Sequence, residues 1–111
     1  MNQAVLENRF LQGIFAPIDQ EYDLQDLPIS GEIPADLNGS FYRNGPNPKF
    51  SPVSVPDYHL FGGDGMTHAF HISDGKVSYC NRWIETAKYR AEDTQGKAVI
   101  DPMNPFNCAE D

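Results

Sequence analysis

The sequence predicts an all-β fold for the central part of the chain, and three observations support this prediction. Nine glycines, nine prolines and 12% aromatic residues among 111 are typical of short strands separated by turns. Residues 66–83 alternate with the period of two that a strand requires. Asp74-Gly75, within this stretch, is a preferred dipeptide of the two-residue type I′ hairpin turn. Together these features predict a β-meander across residues 39–82.

The formal net charge of −8 is concentrated near the amino terminus. Residues 1–38 contain seven acidic side chains against a single basic one, Arg9. The acidic residues are Glu7, Asp19, Glu21, Asp23, Asp26, Glu32 and Asp36. Such a segment repels phosphate groups, so we expect no nucleic-acid partner and interpret the charges as a solvated surface.

Cys80 and Cys108 belong to no metal-binding or redox motif, and no signal peptide precedes them. We therefore expect a reducing, cytoplasmic environment. No apolar run approaches the roughly 18 residues that a membrane span needs.

Residues 1–38 are predicted to form an arm and a connector. Leu6, Phe10 and Ile14 have helical spacing, which predicts one or two helical turns or an irregular apolar arm. Contact with a bilayer surface is the alternative for such an apolar arm, but we favour docking on the rest of the protein, because the arm lacks the basic residues of membrane-surface helices. Three helix-breaking residues, Pro28, Gly31 and Pro34, then predict a connector with little regular structure.

A short strand is predicted at residues 40–43, ended by the run Asn-Gly-Pro-Asn-Pro at 44–48. We interpret that run as architectural, since a phosphate-binding loop would need more glycine, a Lys and a following helix.

Residues 58–61 have β character, and the Gly-Gly-Asp-Gly turn at 62–65 predicts positive φ angles or close backbone approach. Asp64 alone makes a poor calcium site.

The type I′ turn fixes the register of the predicted hairpin. Ser73 faces Lys76, and the pairs continue outward to Met66 with Trp83. This register places His68 opposite Asn81 on the apolar face, where we interpret them as a satisfied buried polar pair. Beyond the hairpin, residues 86–91 alternate as another strand would, and residues 92–97 are polar and turn-like.

Few residues of this sequence suggest metal binding or catalysis. The three histidines are His59, His68 and His71. The positions of His68 and His71 in one strand differ by an odd number, so their side chains project to opposite faces of the sheet and do not share a metal. Cys80 lies within a strand, where an inert thiol is usual, and no G-x-S-x-G elbow is present. Glu92 and Asp93 are adjacent carboxylates in a predicted turn, which we interpret as solvated.

Five segments resemble, in order and spacing, the amino-terminal part of the carotenoid cleavage oxygenase family, which includes bacterial lignostilbene and apocarotenoid oxygenases. The segments are residues 31–39, 41–48, 61–69, 74–77 and 79–82. The similarity extends from about Asn8 to Tyr89. Gly62 departs from the acidic or small polar residue that the family often has there, which affects only a turn.

The resemblance implies a seven-bladed β-propeller whose axis holds Fe(II) bound by four histidines. It also implies cleavage of a carbon–carbon double bond in a carotenoid, apocarotenoid or stilbene by O₂. The chain would supply about one blade plus an arm: residues 1–38 form the arm and connector, and residues 39–111 form the first strands of an incomplete domain.

The resemblance places the iron ligands in later blades, downstream of this chain. We therefore assign no catalytic, cofactor-binding or metal-binding residue, and expect a fragment that is inactive and cofactor-free by itself. The alternative is a non-enzymatic β module that completes its sheet with a partner strand.

Overall fold

A computed structural model describes residues 8–102, and its main feature is one antiparallel sheet. The four strands are β1 (Asp23–Leu24), β2 (Gly39–Pro46), β3 (Gly65–Ser73) and β4 (Lys76–Trp83), in the spatial order β1-β4-β3-β2. One helix follows, α1 (Ala87–Gln95), and short 3₁₀ turns lie at Arg9–Leu11, Gly13–Phe15 and Leu60–Gly62. The prediction of a sheet-dominated fold is confirmed.

The central hairpin has the predicted turn and register. Asp74 and Gly75 have φ angles of 53° and 71°, as both central residues of a type I′ turn require. Ser73 pairs with Lys76, and the pairing continues to Met66 with Trp83 without a shift. A short turn of fixed geometry therefore determines which side chains share each face of the sheet.

Strand β2 is longer than predicted. The Asn-Gly-Pro run does not end it, since Pro46 still pairs with Gly65 of β3 and Asn47 N–H donates to the Asp64 carbonyl at 2.7 Å. A proline fits here because β2 is an edge strand, where the missing N–H breaks no second ladder.

The β prediction for residues 58–61 is wrong, because a 3₁₀ turn, Leu60–Gly62, begins there. His59 stabilises this turn, since its Nδ1 accepts a hydrogen bond from the Phe61 N–H at 3.1 Å. Of the two roles predicted for the following glycines, close approach is the one observed. A Cβ on Gly63 would lie 2.7 Å from Tyr58 Oη and 2.8 Å from Pro46 Cβ.

Residues 86–91 form no strand, since α1 occupies most of this segment and extends into the predicted turn. Thr86 caps the helix by accepting from the Tyr89 N–H, and Gly96 ends it in the left-handed conformation with φ of 74°. The two caps outweigh the short alternating pattern that suggested a strand.

The amino-terminal arm docks on the loop before β3, as predicted, through Leu11 and Asn8. Leu11 is 2% exposed and packs with Val55 and Tyr58. Asn8 Nδ2 donates to the carbonyls of Val55 and Tyr58 at 2.6 and 3.0 Å. The part of the predicted arm at residues 4–7 lies outside the described residues.

A second small core lies under α1, where Met66, Trp83 and Tyr89 pack together. In the part of the chain that the structure describes, the helix covers the Met66 end of the sheet, and two separate clusters take the place of one continuous core. Within residues 8–102, no helix has both the length and the apolar character needed to traverse a lipid bilayer.

Candidate functional site

The three histidines point to separate partners. His68 Nδ1 lies 2.6 Å from Tyr79 Oη, and His71 Nδ1 lies 2.6 Å from Ser40 Oγ on the opposite face of the sheet. His59 Nδ1 is used by the 3₁₀ turn that it caps. The prediction that His68 and His71 project to opposite faces is confirmed by their positions in β3.

These residues do not fit a histidine-bound iron. Across residues 8–102, no cluster of three or more His, Cys, Asp or Glu side chains could hold a metal ion. Each histidine instead uses a ring nitrogen for a protein group on its own part of the surface. We therefore derive no chemical step through iron from this part of the chain.

His68 and Asn81 are opposite each other, as predicted, but they do not form the predicted polar pair. Asn81 is 1% exposed, and its Oδ1 accepts from the Tyr22 N–H at 2.5 Å. The backbone N–H of Asn81 donates to the Tyr22 carbonyl at 3.1 Å. Asn81 thereby holds the connector at β1 against β4. Within residues 8–102, its Nδ2 finds no hydrogen-bond partner.

The environment of His68 favours its neutral form. Burial lowers the pKa of His68, and the nearby Arg43 cation lowers it further. A neutral imidazole can exchange a hydrogen bond with the Tyr79 hydroxyl in either tautomer. The pair therefore acts as an uncharged polar contact within an otherwise apolar face.

Ser40 and His71 have the spacing of a nucleophile and its base, but the surrounding groups do not support catalysis. Both residues are exposed on the sheet surface. The His71 ring also contacts the Tyr42 ring edge-on, with 6.0 Å between the ring centroids. Among the described residues, no carboxylate hydrogen bonds to His71 to orient it. We interpret this pair as a cross-strand contact.

A buried ionic network joins α1 to the turn before β3. Lys88 Nζ lies 3.0 Å from Asp64 Oδ1 and 2.8 Å from Glu92 Oε1. The second oxygen of Glu92 accepts from the N–H groups of Val99 and Ile100 at 3.0 and 3.1 Å. Glu92 is 2% exposed, so the prediction of a solvated carboxylate is wrong for this residue.

Asp93, the neighbour of Glu92, is exposed as predicted but forms an ion pair with Lys49 at 2.5 Å. The Lys49 ammonium also lies over the rings of Trp83 and Tyr89, at 5.4 and 4.6 Å from their centroids. The hydrogen bonds to Asp93 and Tyr89 raise the pKa of Lys49. The Lys49 side chain therefore packs over the second core and links it to Asp93 of α1.

The network is structural in character because its carboxylates hold Lys88 in the charged form. Burial opposes the charge on Lys88, but hydrogen bonds to Glu92 and Asp64 outweigh it, so the pKa of Lys88 is raised. A lysine held in its charged form is unsuited to act as a base or nucleophile near neutral pH. Two signals in the sequence could have predicted helix α1 and this ion pair. They are the caps Thr86 and Gly96 and the i, i+4 spacing of Lys88 and Glu92.

A cleft of about 540 Å³ separates the amino-terminal arm from the sheet. Its walls are largely apolar; they include Phe10, Ile14, Phe15, Ile18, Leu27, Tyr58, Leu60 and Phe70. The polar side chains that line the same cleft include Arg43, His68 and Tyr79. An apolar cleft with a few convergent polar groups is the form that ligand sites and interfaces usually take.

Comparisons with known proteins agree on one family. A family model described as retinal pigment epithelial membrane protein matches residues 15–110. Carotenoid 9,10(9',10')-cleavage dioxygenase 1 from Phaseolus vulgaris is 44% identical over 93 residues, which cover 84% of this chain and 17% of the relative. Isoeugenol monooxygenase from Pseudomonas nitroreducens is 44% identical over 98 residues, 86% of this chain and 20% of the relative.

Solved structures give the same result. The lignostilbene dioxygenase of Pseudomonas brassicacearum matches 94% of this chain with a TM-score of 0.84 and 30% identity, and 22% of its own chain is covered. A variant of the Synechocystis apocarotenoid oxygenase matches 75% of this chain with a TM-score of 0.66 and 37% identity, over 17% of its length. The chain thus spans about a fifth of the length of the proteins that it matches.

Proposed function

The chain belongs to the family of retinal pigment epithelial membrane protein and the carotenoid cleavage oxygenases, and from this premise we propose that it is the amino-terminal scaffold of an Fe(II)-dependent oxygenase. The fold is accordingly the amino-terminal portion of a β-propeller. The observation that carries the proposal is the match to lignostilbene dioxygenase, which covers 94% of this chain with a TM-score of 0.84. We use the term longer protein for a protein that contains this chain and has the full length of the matched relatives.

The proposed reaction is cleavage of a carbon–carbon double bond by O₂. Each alkene carbon receives one oxygen atom, so one alkene and one O₂ give two carbonyl products. The proposed substrates are a carotenoid, an apocarotenoid or a stilbene, because the names of the matched proteins include carotenoid-cleaving and lignostilbene-cleaving dioxygenases.

The role proposed for this chain is to build and hold the first blade. Residues 1–38 are the arm and connector, and residues 39–111 are the first strands of an incomplete domain. Two features support a scaffolding role: Asn81 holds the connector on β4, and the Lys88 network holds α1 against the sheet. The iron would require histidines other than the three described above.

The test compares the 111-residue chain with the longer protein. Both are incubated with O₂ and a stilbene or an apocarotenoid, the carbonyl products are identified by mass spectrometry, and iron is measured in the purified proteins. We expect product and iron with the longer protein and neither with the 111-residue chain. Iron bound stoichiometrically by the 111-residue chain would overturn the scaffold role, and an iron-loaded longer protein that cleaves neither substrate would overturn the reaction.

One observation favours a second candidate, a non-enzymatic module that completes its sheet with a partner strand. Strand β2 lies at the edge of the sheet, and Phe41 and Tyr42 within it are 60% and 64% exposed. An open edge of this kind accepts strands from other chains. The same assay separates the two candidates, because an interaction module contributes no iron-dependent cleavage at any length.

A further inference from the structure

The sequence contains the dipeptide Asn-Gly twice, at Asn38-Gly39 and at Asn44-Gly45. An asparagine before a glycine can close into a cyclic imide, because glycine has no Cβ to shield its amide nitrogen from the preceding side chain. Both asparagines are exposed, so water reaches both side chains. The two sites therefore differ mainly in the backbone that surrounds them.

The sheet holds the backbone at Asn44 on both sides. Asn44 pairs with Thr67, and Gly45 pairs with Met66, within the ladder of β2 and β3. Closure of the imide ring requires the asparagine ψ angle to leave its extended value, which breaks these pairs. At Asn44 the sheet must therefore open locally before the ring can form.

Asn38 lies just before the first pair of the same ladder, which joins Gly39 to Ile72. Residues 25–38 contain no helix or strand. Rotation about the Asn38 ψ angle therefore moves the connector and need not break a pair of β2 with β3.

The hairpin turn supplies a hydrogen-bond donor at the side-chain carbonyl of Asn38. The Asp74 N–H donates to Asn38 Oδ1 at 3.2 Å. When a nucleophile attacks Asn38 Cγ, negative charge develops on this oxygen, and a donor that is already in place stabilises it. In the described part of the chain, no acceptor binds Asn38 Nδ2, so the leaving group is not held.

We propose that Asn38 is a site of deamidation in the folded chain, with the Gly39 nitrogen as the nucleophile. This nitrogen loses its proton to the solvent and forms a bond to Asn38 Cγ. The bond between Cγ and Nδ2 then breaks, and Nδ2 takes up a proton and leaves as ammonia. Water opens the imide at either carbonyl and gives aspartate or isoaspartate, so the net change is uptake of a water molecule and release of ammonia.

The products alter the start of an edge strand. Both place a new carboxylate at the hairpin turn, where Asn38 contacts the Asp74 backbone. Isoaspartate also lengthens the main chain by a carbon atom just before the first pair of β2 with β3. The modification thus changes both the charge and the backbone geometry at this end of the sheet.

The first test compares the 111-residue chain with a synthetic peptide of residues 34–48, which contains both dipeptides but lacks the hairpin. Both are incubated in mildly alkaline buffer, and mass spectrometry quantifies aspartate and isoaspartate at each site. Folding should slow the reaction at Asn44 by about tenfold or more, and should leave the reaction at Asn38 at least as fast as in the peptide. A reaction at Asn38 that is slower in the chain than in the peptide, or no faster than that at Asn44 in the chain, would overturn the proposal.

The second test assigns the released ammonia to one side chain. Asn38→Ser removes the amide but keeps a hydroxyl that can accept from the Asp74 N–H, so it should abolish the early release of ammonia. Asn44→Ser is the matched control at an exposed position and should release ammonia as the unsubstituted chain does. Release at the unsubstituted rate from Asn38→Ser would contradict the assignment. Neither test measures oxygenase activity, so the deamidation can fail while the proposed reaction stands.

Discussion

The side-chain amide of Asn47 pairs with the backbone of Ile18 as a neighbouring strand would. Asn47 Oδ1 accepts from the Ile18 N–H at 2.7 Å, and Asn47 Nδ2 donates to the Ile18 carbonyl at 2.8 Å. The backbone carbonyl of Asn47 also accepts from Trp83 Nε1 at 2.8 Å. One residue therefore links the arm, the end of β2 and the second core, which gives the Asn-Gly-Pro-Asn-Pro run a physical role.

Asn47→Ala should lower the free energy of unfolding by about 2 to 4 kcal/mol, because it removes both hydrogen bonds to Ile18 and leaves the backbone of Ile18 unpaired. The measurement is urea denaturation of the purified chain. Asn44→Ala is the control; Asn44 lies in the same run but is exposed, so its effect should stay within about 0.5 kcal/mol. Equal effects of the two substitutions would show that the pairing with Ile18 contributes little.

Glu92→Gln should destabilise the chain by about 2 to 4 kcal/mol, since it weakens the buried ionic network around Lys88. It should also speed amide hydrogen exchange at Val99 and Ile100, whose N–H groups donate to Glu92. Glu85→Gln, at an exposed position just before α1, should change neither quantity much. Unchanged exchange at both amides in Glu92→Gln would contradict the assigned role.

The hairpin could be predicted pair by pair because its information is local. Asp74-Gly75 selects the turn, the turn selects the register, and the register places His68 opposite Asn81. The partners of those two side chains could not be predicted. Asn81 bonds to Tyr22, 59 positions away, and no local pattern encodes a contact of that separation.

The helix and its buried carboxylate were missed for a different reason. Residues 86–91 do alternate, but the caps at Thr86 and Gly96 span a nine-residue helix and decide the conformation. The burial of Glu92 then depends on where Asp64 and the loop at 99–100 lie in the fold. The family resemblance could be read from the sequence, whereas these contacts required the three-dimensional arrangement.

Gly63→Ala should destabilise the chain by about 1 to 3 kcal/mol through crowding rather than through backbone strain. The added Cβ would lie 2.7 Å from Tyr58 Oη, 2.8 Å from Pro46 Cβ and 3.3 Å from the Asn47 nitrogen. Gly45→Ala is a matched control in the neighbouring strand, where no described residue lies within 4 Å of an added Cβ. Thermal unfolding of the two variants provides the measurement, and a Gly63→Ala midpoint as high as that of Gly45→Ala would refute close packing at this turn.

The phenol of Tyr58 should make the chain sensitive to alkaline pH. Burial, together with the charge of Asp64, raises the pKa of Tyr58 from 10.0 to about 12. Below pH 10 the phenol is protonated in both the folded and the unfolded chain, so its full contribution to stability is present. Between about pH 10 and pH 12 only the unfolded chain loses the proton, and the contribution, about 2 to 3 kcal/mol, is progressively lost.

Tyr58→Phe should therefore reduce the fall in unfolding free energy between about pH 10 and pH 12, while leaving stability below pH 10 nearly unchanged. Urea denaturation across this range measures the fall, and near-ultraviolet absorbance follows tyrosinate formation directly. Tyr42→Phe is the control, because Tyr42 is 64% exposed and Tyr58 is 6% exposed. If both variants keep the alkaline slope of the unsubstituted chain, the loss arises from other groups and the environment of Tyr58 is more hydrated than its packing against Leu11 and Val55 implies.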